Sequence, residues 1–149
     1  MGKGWGVALA CAALIGAATA APASADDRAT MDRYARATWD SLVAMTDTGS
    51  GLPADVLSAD GSRSVQTSTT NIGAYMWSAV TAERLGFIGH DELVTRLART
   101  IGTLERMERF SPGGQYYNWY DHRNGDKLTK WPPTGAPLDP ILSSVDNAW

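Results

Sequence analysis

Three stretches whose apolar residues recur at helical spacing, all before residue 112, limit what this chain can fold into. In residues 31–45, Met31, Tyr34, Ala35, Thr38, Leu42 and Met45 share one helical face, with Asp32, Arg36 and Asp40 elsewhere. Thr30 stands where an N-cap belongs, and Thr46-Asp47-Thr48-Gly49 closes the run. Residues 71–85 carry a second stripe of Ile72, Tyr75, Met76, Ala79, Val80 and Leu85, flanked by Trp77, with caps on offer in Ser68-Thr69-Thr70-Asn71. Arg84-Leu85-Gly86-Phe87-Ile88 reads as its stop, with Gly86 left-handed and Phe87 or Ile88 folding back onto the last turn. The third stripe, Leu93, Leu97, Ile101, Leu104 and Met107, spans residues 91–110, and Asp91 and Glu92 in its first turn suit the helix dipole. Gly102 inside it costs about 1 kcal/mol against alanine, which points to a close helix crossing. The expectation is a mainly α fold.

Between the first two helices, residues 46–69 are punctuated by Gly49, Gly51, Pro53 and Asp60-Gly61. A loop of this length is either functional, as a rim loop, or a solvated connector. Pro112-Gly113-Gly114 ends the helical pattern, and extended runs at 115–121 and 127–131 flank Asn124-Gly125, a hairpin-turn signal. Pro132, Pro133, Pro137 and Pro140 make a stiff return to Ser143 or Ser144, which opens a last helical turn holding Val145, Asp146, Asn147 and Ala148. One turn of helix is not stable by itself. Three helices and a short β-hairpin make a thin core, so the chain reads as the N-terminal portion of a longer protein. Residues 26–149 alone are then expected to expose helix faces and to aggregate or stay molten.

Charge excludes one class of partner. A net charge of -3 and a pI near 5.2 leave no basic surplus for nucleic acid. Residues 1–25 read as a secretory signal peptide: Lys3, an apolar run over 7–18, and Ala23-Ser24-Ala25 ahead of Asp26-Asp27. The run is too short and alanine-rich to span a membrane, so no stable span is expected once the leader is removed. Cys11 lies inside it, which leaves residues 26–149 without cysteine, and so without a disulfide or cysteine–zinc site. His90 and His122 are too far apart to suggest a metal, and no organic cofactor is indicated.

Residues 115–149 crowd Tyr116, Tyr117, Trp119, Tyr120, Trp131 and Trp149 among Asn118, Asp121, Asp146 and Asn147. A packed core seldom places acids and amides between aromatics, because buried polar groups need partners. A polar ligand with apolar ring faces, such as a sugar, suits the mixture. Asn71, Asn118 and Asn147 are candidates to hydrogen-bond its hydroxyls, and Trp119, Tyr120 and Trp149 to stack on it. The same residues also read as caps and as packing between hairpin and helices.

The motifs Thr69-Thr70-Asn71-Ile72-Gly73, Arg84-Leu85-Gly86-Phe87-Ile88, Tyr117-Asn118-Trp119-Tyr120-Asp121 and Ser143-Ser144-Val145-Asp146-Asn147 occur in the order and approximate spacing of one family. Across residues 34–149 the chain resembles the glucoamylase-like domain family, which includes secreted bacterial endo-β-1,2-glucanases; a related domain occurs in cyclic β-1,2-glucan synthases. The resemblance implies the opening helices of an incomplete (α/α)6 toroid, with residues 26–149 as the N-terminal part of its catalytic domain. It implies a secreted or extracytoplasmic glycoside hydrolase, monomeric when full length, acting on an oligo- or polysaccharide, with β-1,2-glucan one candidate.

Hydrolysing a glycosidic bond takes an acid at the leaving oxygen and a base or nucleophile opposite. Asp121 and Asp146 are the candidate catalytic carboxylates; each reads also as a cap or turn aspartate, or as a sugar-binding group without catalytic duty. Asp146 lies in a helical first turn, which favours the ionised form. The general acid is expected beyond Trp149. Two alternatives use the same residues: a non-catalytic carbohydrate-binding or cell-envelope protein, and a polysaccharide lyase drawing on Tyr120 and His122.

Overall fold

The computed structural model describes residues 24–148. The leader expectation therefore lies almost wholly outside the described residues. What is described is mainly helical. Helix α1 spans Ala25–Met45, α2 Thr69–Arg84 and α3 His90–Leu104; strand β1 (Gln66–Thr67) pairs antiparallel with β2 (Tyr120–Asp121), and a 3₁₀ turn covers Asp146–Ala148. No helix among these residues is long and apolar enough to cross a membrane.

The cap of helix α1 lies six residues before the expected one. Ser24 takes the role, its Oγ accepting from the Asp27 N–H at 3.1 Å while the Asp27 carboxylate accepts from the Ser24 N–H at 3.2 Å. The expected stripe is only partly the buried one. Met31 and Tyr34 are exposed, and the face that packs is Trp39 with Leu42 and Val43. Trp39 stacks near-parallel on Tyr75 of α2, ring centroids 6.2 Å apart, and carries the Arg96 guanidinium over its ring at 5.3 Å. Ala79, Ala82 and Leu93 complete this cluster.

Helix α2 is shared between two cores. Its Tyr75, Ala79 and Ala82 face α1, while Ile72 faces a second cluster of Leu52, Met107 and Tyr120. Its stop follows the expected pattern: Gly86 has φ +72°, and the Phe87 N–H reaches the Ala82 carbonyl at 2.8 Å. Phe87 and Ile88 both pack against the first cluster.

Helix α3 ends at Leu104, well short of the expected residue 110. The hairpin around Pro112-Gly113-Gly114 pulls the following segment into an extended path, with Arg109 bridged to Tyr116 and the Phe110 N–H bonded to the Gln115 carbonyl at 2.8 Å. A turn after Leu104 still carries Met107 into the core. Ile101 points outward, and Gly102 marks no helix crossing: the nearest group to a Cβ built there is the Arg106 guanidinium at 3.7 Å, a side chain from its own helix's end.

The 46–69 loop is packed at both ends, over 50–54 and 66–69, and exposed over most of 56–63. Leu52 and Ala54 are fully buried, and two α3 threonines hold the loop's backbone: Thr100 Oγ1 donates to the Gly51 carbonyl at 2.8 Å and Thr103 Oγ1 to the Ser50 carbonyl at 2.7 Å. Gly51 has φ +74°, and a Cβ there would meet the Thr100 backbone nitrogen at 3.0 Å. Gly51→Ala is therefore expected to destabilise the fold by about 1–3 kcal/mol, from the left-handed backbone and the contact together. Gly61, with φ +83° but nothing within 4 Å of a built Cβ, should cost less when changed to alanine. Urea denaturation of both variants checks the ordering.

The Asn124-Gly125 turn forms as expected, with the Gly125 N–H on the Asp121 carbonyl at 2.8 Å. The two extended runs do not become a long hairpin. Tyr120 bridges Lys127, but the ladder partner of β2 is β1, in the register Gln66↔Asp121 and Thr67↔Tyr120. That pairing ties the end of the 46–69 loop to the aromatic segment and sets both beside the start of α2.

Candidate functional site

Because Ser68 caps α2, accepting from the Asn71 N–H at 3.3 Å, the side chains of Thr70 and Asn71 in the first turn are released for other partners. Each takes a carboxylate from elsewhere in the chain. Thr70 Oγ1 donates to Asp146 Oδ1, and Asn71 Nδ2 donates to Asp55 Oδ1. Asp146 is held from its other side as well. The Asn118 amide is oriented by its neighbours, its nitrogen facing Asp146 Oδ2 and its oxygen accepting from the Trp119 indole N–H at 3.0 Å. A half-buried carboxylate, an amide and an indole thus form one chain of hydrogen bonds at the positive end of α2.

The electrostatic setting of Asp146 differs from the expected one. The turn that contains it is a 3-residue 3₁₀ segment, too short to supply an aligned dipole. Its own N–H is bonded to Ser143 Oγ at 3.2 Å, and its carboxylate accepts from Thr70 in the first turn of α2.

Asp121 stands apart from this network. Its Oδ1 accepts from the Arg123 N–H and Nε, each at 2.9 Å, and its Oδ2 from Arg123 Nη2 at 2.5 Å. Burial alone would raise its pKa, but the Arg123 hydrogen bonds outweigh it and hold the carboxyl below the usual range. Such a group is a poor proton donor, and no hydrogen bond links it to Asp146. A pH effect follows. Its folded pKa lies below the unfolded value, so its stabilising contribution is complete above about pH 4 and fades as pH falls through the lowered folded value. Denaturation midpoints of wild type and Asp121→Asn should converge in that acid window and differ near neutrality.

The other candidates divide. Trp119 is half-buried, packed edge-on against Trp131 with centroids 5.5 Å apart. Asn147 serves the backbone: its Oδ1 accepts from the Tyr116 N–H at 2.7 Å, and its Nδ2 donates to the Tyr116 carbonyl at 3.0 Å and the Ser143 carbonyl at 2.8 Å. Tyr120 is no stacking platform. It is fully buried, its hydroxyl donating to the Glu108 carbonyl at 2.6 Å and accepting from the Tyr117 N–H at 2.7 Å. Burial pushes its phenol up to about 12 against the lowering effect of that N–H. Trp149 lies outside the described residues. His122 is buried, with Nδ1 3.0 Å from the Val65 carbonyl. Buried as they are, Tyr120 and His122 are poorly placed to be the base of the lyase alternative.

Asp55 was absent from the candidates because nothing in its local sequence marks it; only the loop's path brings it to Asn71. A cavity of about 240 Å³ opens beside the network, lined by Thr69, Ile72, Met76 and Tyr116 with Asp146 and Asn147. A separate cleft of about 450 Å³ lies between the end of α1, the 46–51 turn and α3, with Asp47, Glu92, Arg96 and Arg99 on its walls. Among the described residues, no group of three His, Asp or Glu side chains is placed to hold a metal.

Comparison with known proteins agrees with the helical body. Two crystal structures, of candidate glucoamylases from Bacteroides caccae and Bacteroides fragilis, share its fold with TM-scores of 0.62 and 0.63 at 22% identity. The alignments cover 76% and 78% of this chain, and 28% and 29% of those proteins. The cyclic beta-(1,2)-glucan synthase NdvB of Rhizobium meliloti (strain 1021) is 39% identical over 83 residues, which is 55% of this chain and 2% of that protein. The chain thus spans a small part of each protein it matches. Residues 33–126 match the family described as "Protein of unknown function (DUF3131)". The chain belongs to this DUF3131 family, and its fold is glucoamylase-like.

Proposed function

We propose that this chain forms one wall of an extracytoplasmic glycoside-hydrolase site acting on a β-linked glucan, β-1,2-glucan first among the candidates. The observation that carries the reading is the run Trp119–Asn118–Asp146–Thr70 at the α2 N-terminus. It ties an indole, through the Asn118 amide, to a carboxylate held from both sides, and an apolar ring with an oriented acid suits a sugar and its acetal. Asp146 acts as base or as acceptor for a sugar hydroxyl. Its acid partner belongs to the part of a larger (α/α)6 domain that this chain does not span. The resemblance to a cyclic β-1,2-glucan synthase supports the linkage, and the glucoamylase-like fold supports the reaction class.

The test is to incubate the full-length polypeptide with linear β-1,2-glucan and with β-1,3- and β-1,4-glucans, and to measure reducing ends. Release from the β-1,2 polymer is the expected result. Binding of glucan by titration calorimetry without new reducing ends favours the second reading, a carbohydrate-binding protein of the cell envelope. Export is checked by N-terminal mass spectrometry of the mature protein, expected to begin at Asp26.

A further inference from the structure

We propose that Asp55 is a positioning residue for Asn71, and that the two form a second polar arm of the same saccharide site. The proposal rests on the glucan reading above. Asp55 is well placed to orient a neighbour. The residues before it, Leu52 to Ala54, are buried, and its own N–H is bonded to the Gln66 carbonyl at 2.9 Å, so the loop has little freedom there. Its Oδ1 takes the Asn71 Nδ2 proton. An amide anchored by its nitrogen has its oxygen direction fixed too. Asn71 is half-buried, and among the described residues its Oδ1 receives no hydrogen bond, which leaves it as an acceptor for an incoming hydroxyl.

A second, independent feature marks the same helix turn as ligand-facing. Thr69 lines the cavity that Asp146 also lines, it is only 8% exposed, and its Oγ1 has no hydrogen-bond partner among the described residues. A buried hydroxyl is seldom left unpaired in a folded protein. Three consecutive side chains at the start of α2 therefore present a donor–acceptor hydroxyl (Thr69), a carboxylate held by Thr70, and an oriented amide oxygen (Asn71). Hydroxyls on a sugar ring each donate and accept, so a neutral saccharide matches this set. An acidic sugar would meet the two carboxylates of Asp55 and Asp146 and be repelled.

The test compares wild type with Asp55→Ala, Asp55→Asn, Asn71→Ala and the Asp55→Ala/Asn71→Ala double variant, all in the full-length polypeptide. KM and kcat are measured on a β-1,2-gluco-oligosaccharide; where the wild type binds without hydrolysing, Kd from calorimetry takes the place of KM. Asp55→Ala and Asn71→Ala are each expected to raise KM about fivefold to tenfold with kcat little changed, the loss of roughly one hydrogen bond to substrate. The double variant should be no worse than either single one, because Asp55 acts through Asn71. Asp55→Asn keeps an Oδ1 acceptor and should restore the wild-type KM. Additive effects, an unchanged KM, or an Asp55→Asn as impaired as Asp55→Ala each overturn the positioning role while the glucan reading stands. If Asp55→Ala does not fold, Asp55→Asn and Asn71→Ala carry the test. A wild type that neither binds nor cleaves any glucan overturns both.

Discussion

Asp146→Asn in the full-length polypeptide is expected to lower turnover on β-1,2-glucan by about a hundredfold or more, the usual scale for losing a positioned acid or base. The local geometry can survive the change: the asparagine oxygen accepts from the Asn118 nitrogen, and its amide nitrogen donates to the Thr70 hydroxyl, which accepts in turn. Asn118 then keeps its bond to the Trp119 indole, so activity should fall while tryptophan fluorescence stays near wild type. Thr70→Val removes one hydrogen bond and leaves the charge, so its effect should be nearer tenfold. Wild-type turnover in Asp146→Asn would remove Asp146 from the mechanism.

Tyr120→Ala is expected to destabilise the fold by about 3–5 kcal/mol, a large part of the roughly 5–15 kcal/mol that holds a domain together. Tyr120 is fully buried among Leu52, Ile72 and Met107, so truncation opens a cavity that α2, α3 and the loop all border. Its hydroxyl also satisfies two backbone groups, the Glu108 carbonyl and the Tyr117 N–H. Tyr120→Phe keeps the ring and strands those groups, at about 1–3 kcal/mol. Urea unfolding followed by far-ultraviolet circular dichroism should rank alanine below phenylalanine below wild type. If both variants were as stable as wild type, Tyr120 would not be the core residue described here.

The sequence made local features legible and long-range ones not. The Gly86 stop and the Asn124-Gly125 turn are set by one or two residues and came out as read. The three helices exist because stripes of period 3.6 persist over several turns. Their ends moved for nameable reasons: Ser24, the cap of the Ser24–Asp27 capping box, lay among the residues assigned to a leader, and the 110–115 hairpin overrode the apolar stripe past Leu104. Which aromatic faces outward depends on packing partners. Tyr120, two residues from Asn118 in a segment read as a ligand surface, is buried because β2 pairs with β1, some fifty residues upstream. The same loop path brings Asp55 to Asn71, and no local pattern announces it. Of the two candidate carboxylates, Arg123 claims Asp121 from only two residues away, a pairing visible in principle as a turn ion pair. The glucoamylase-like resemblance, resting on four motifs in order, was matched by the fold of the Bacteroides structures.

The most direct test of the site is a crystal structure of the full-length Asp146→Asn protein soaked with a β-1,2-gluco-oligosaccharide. The account predicts a sugar ring against Trp119, with hydroxyls within hydrogen-bonding distance of residue 146 and Asn71. Sugar seated instead between Asp47, Glu92 and Arg96, with the α2 N-terminus empty, would contradict it.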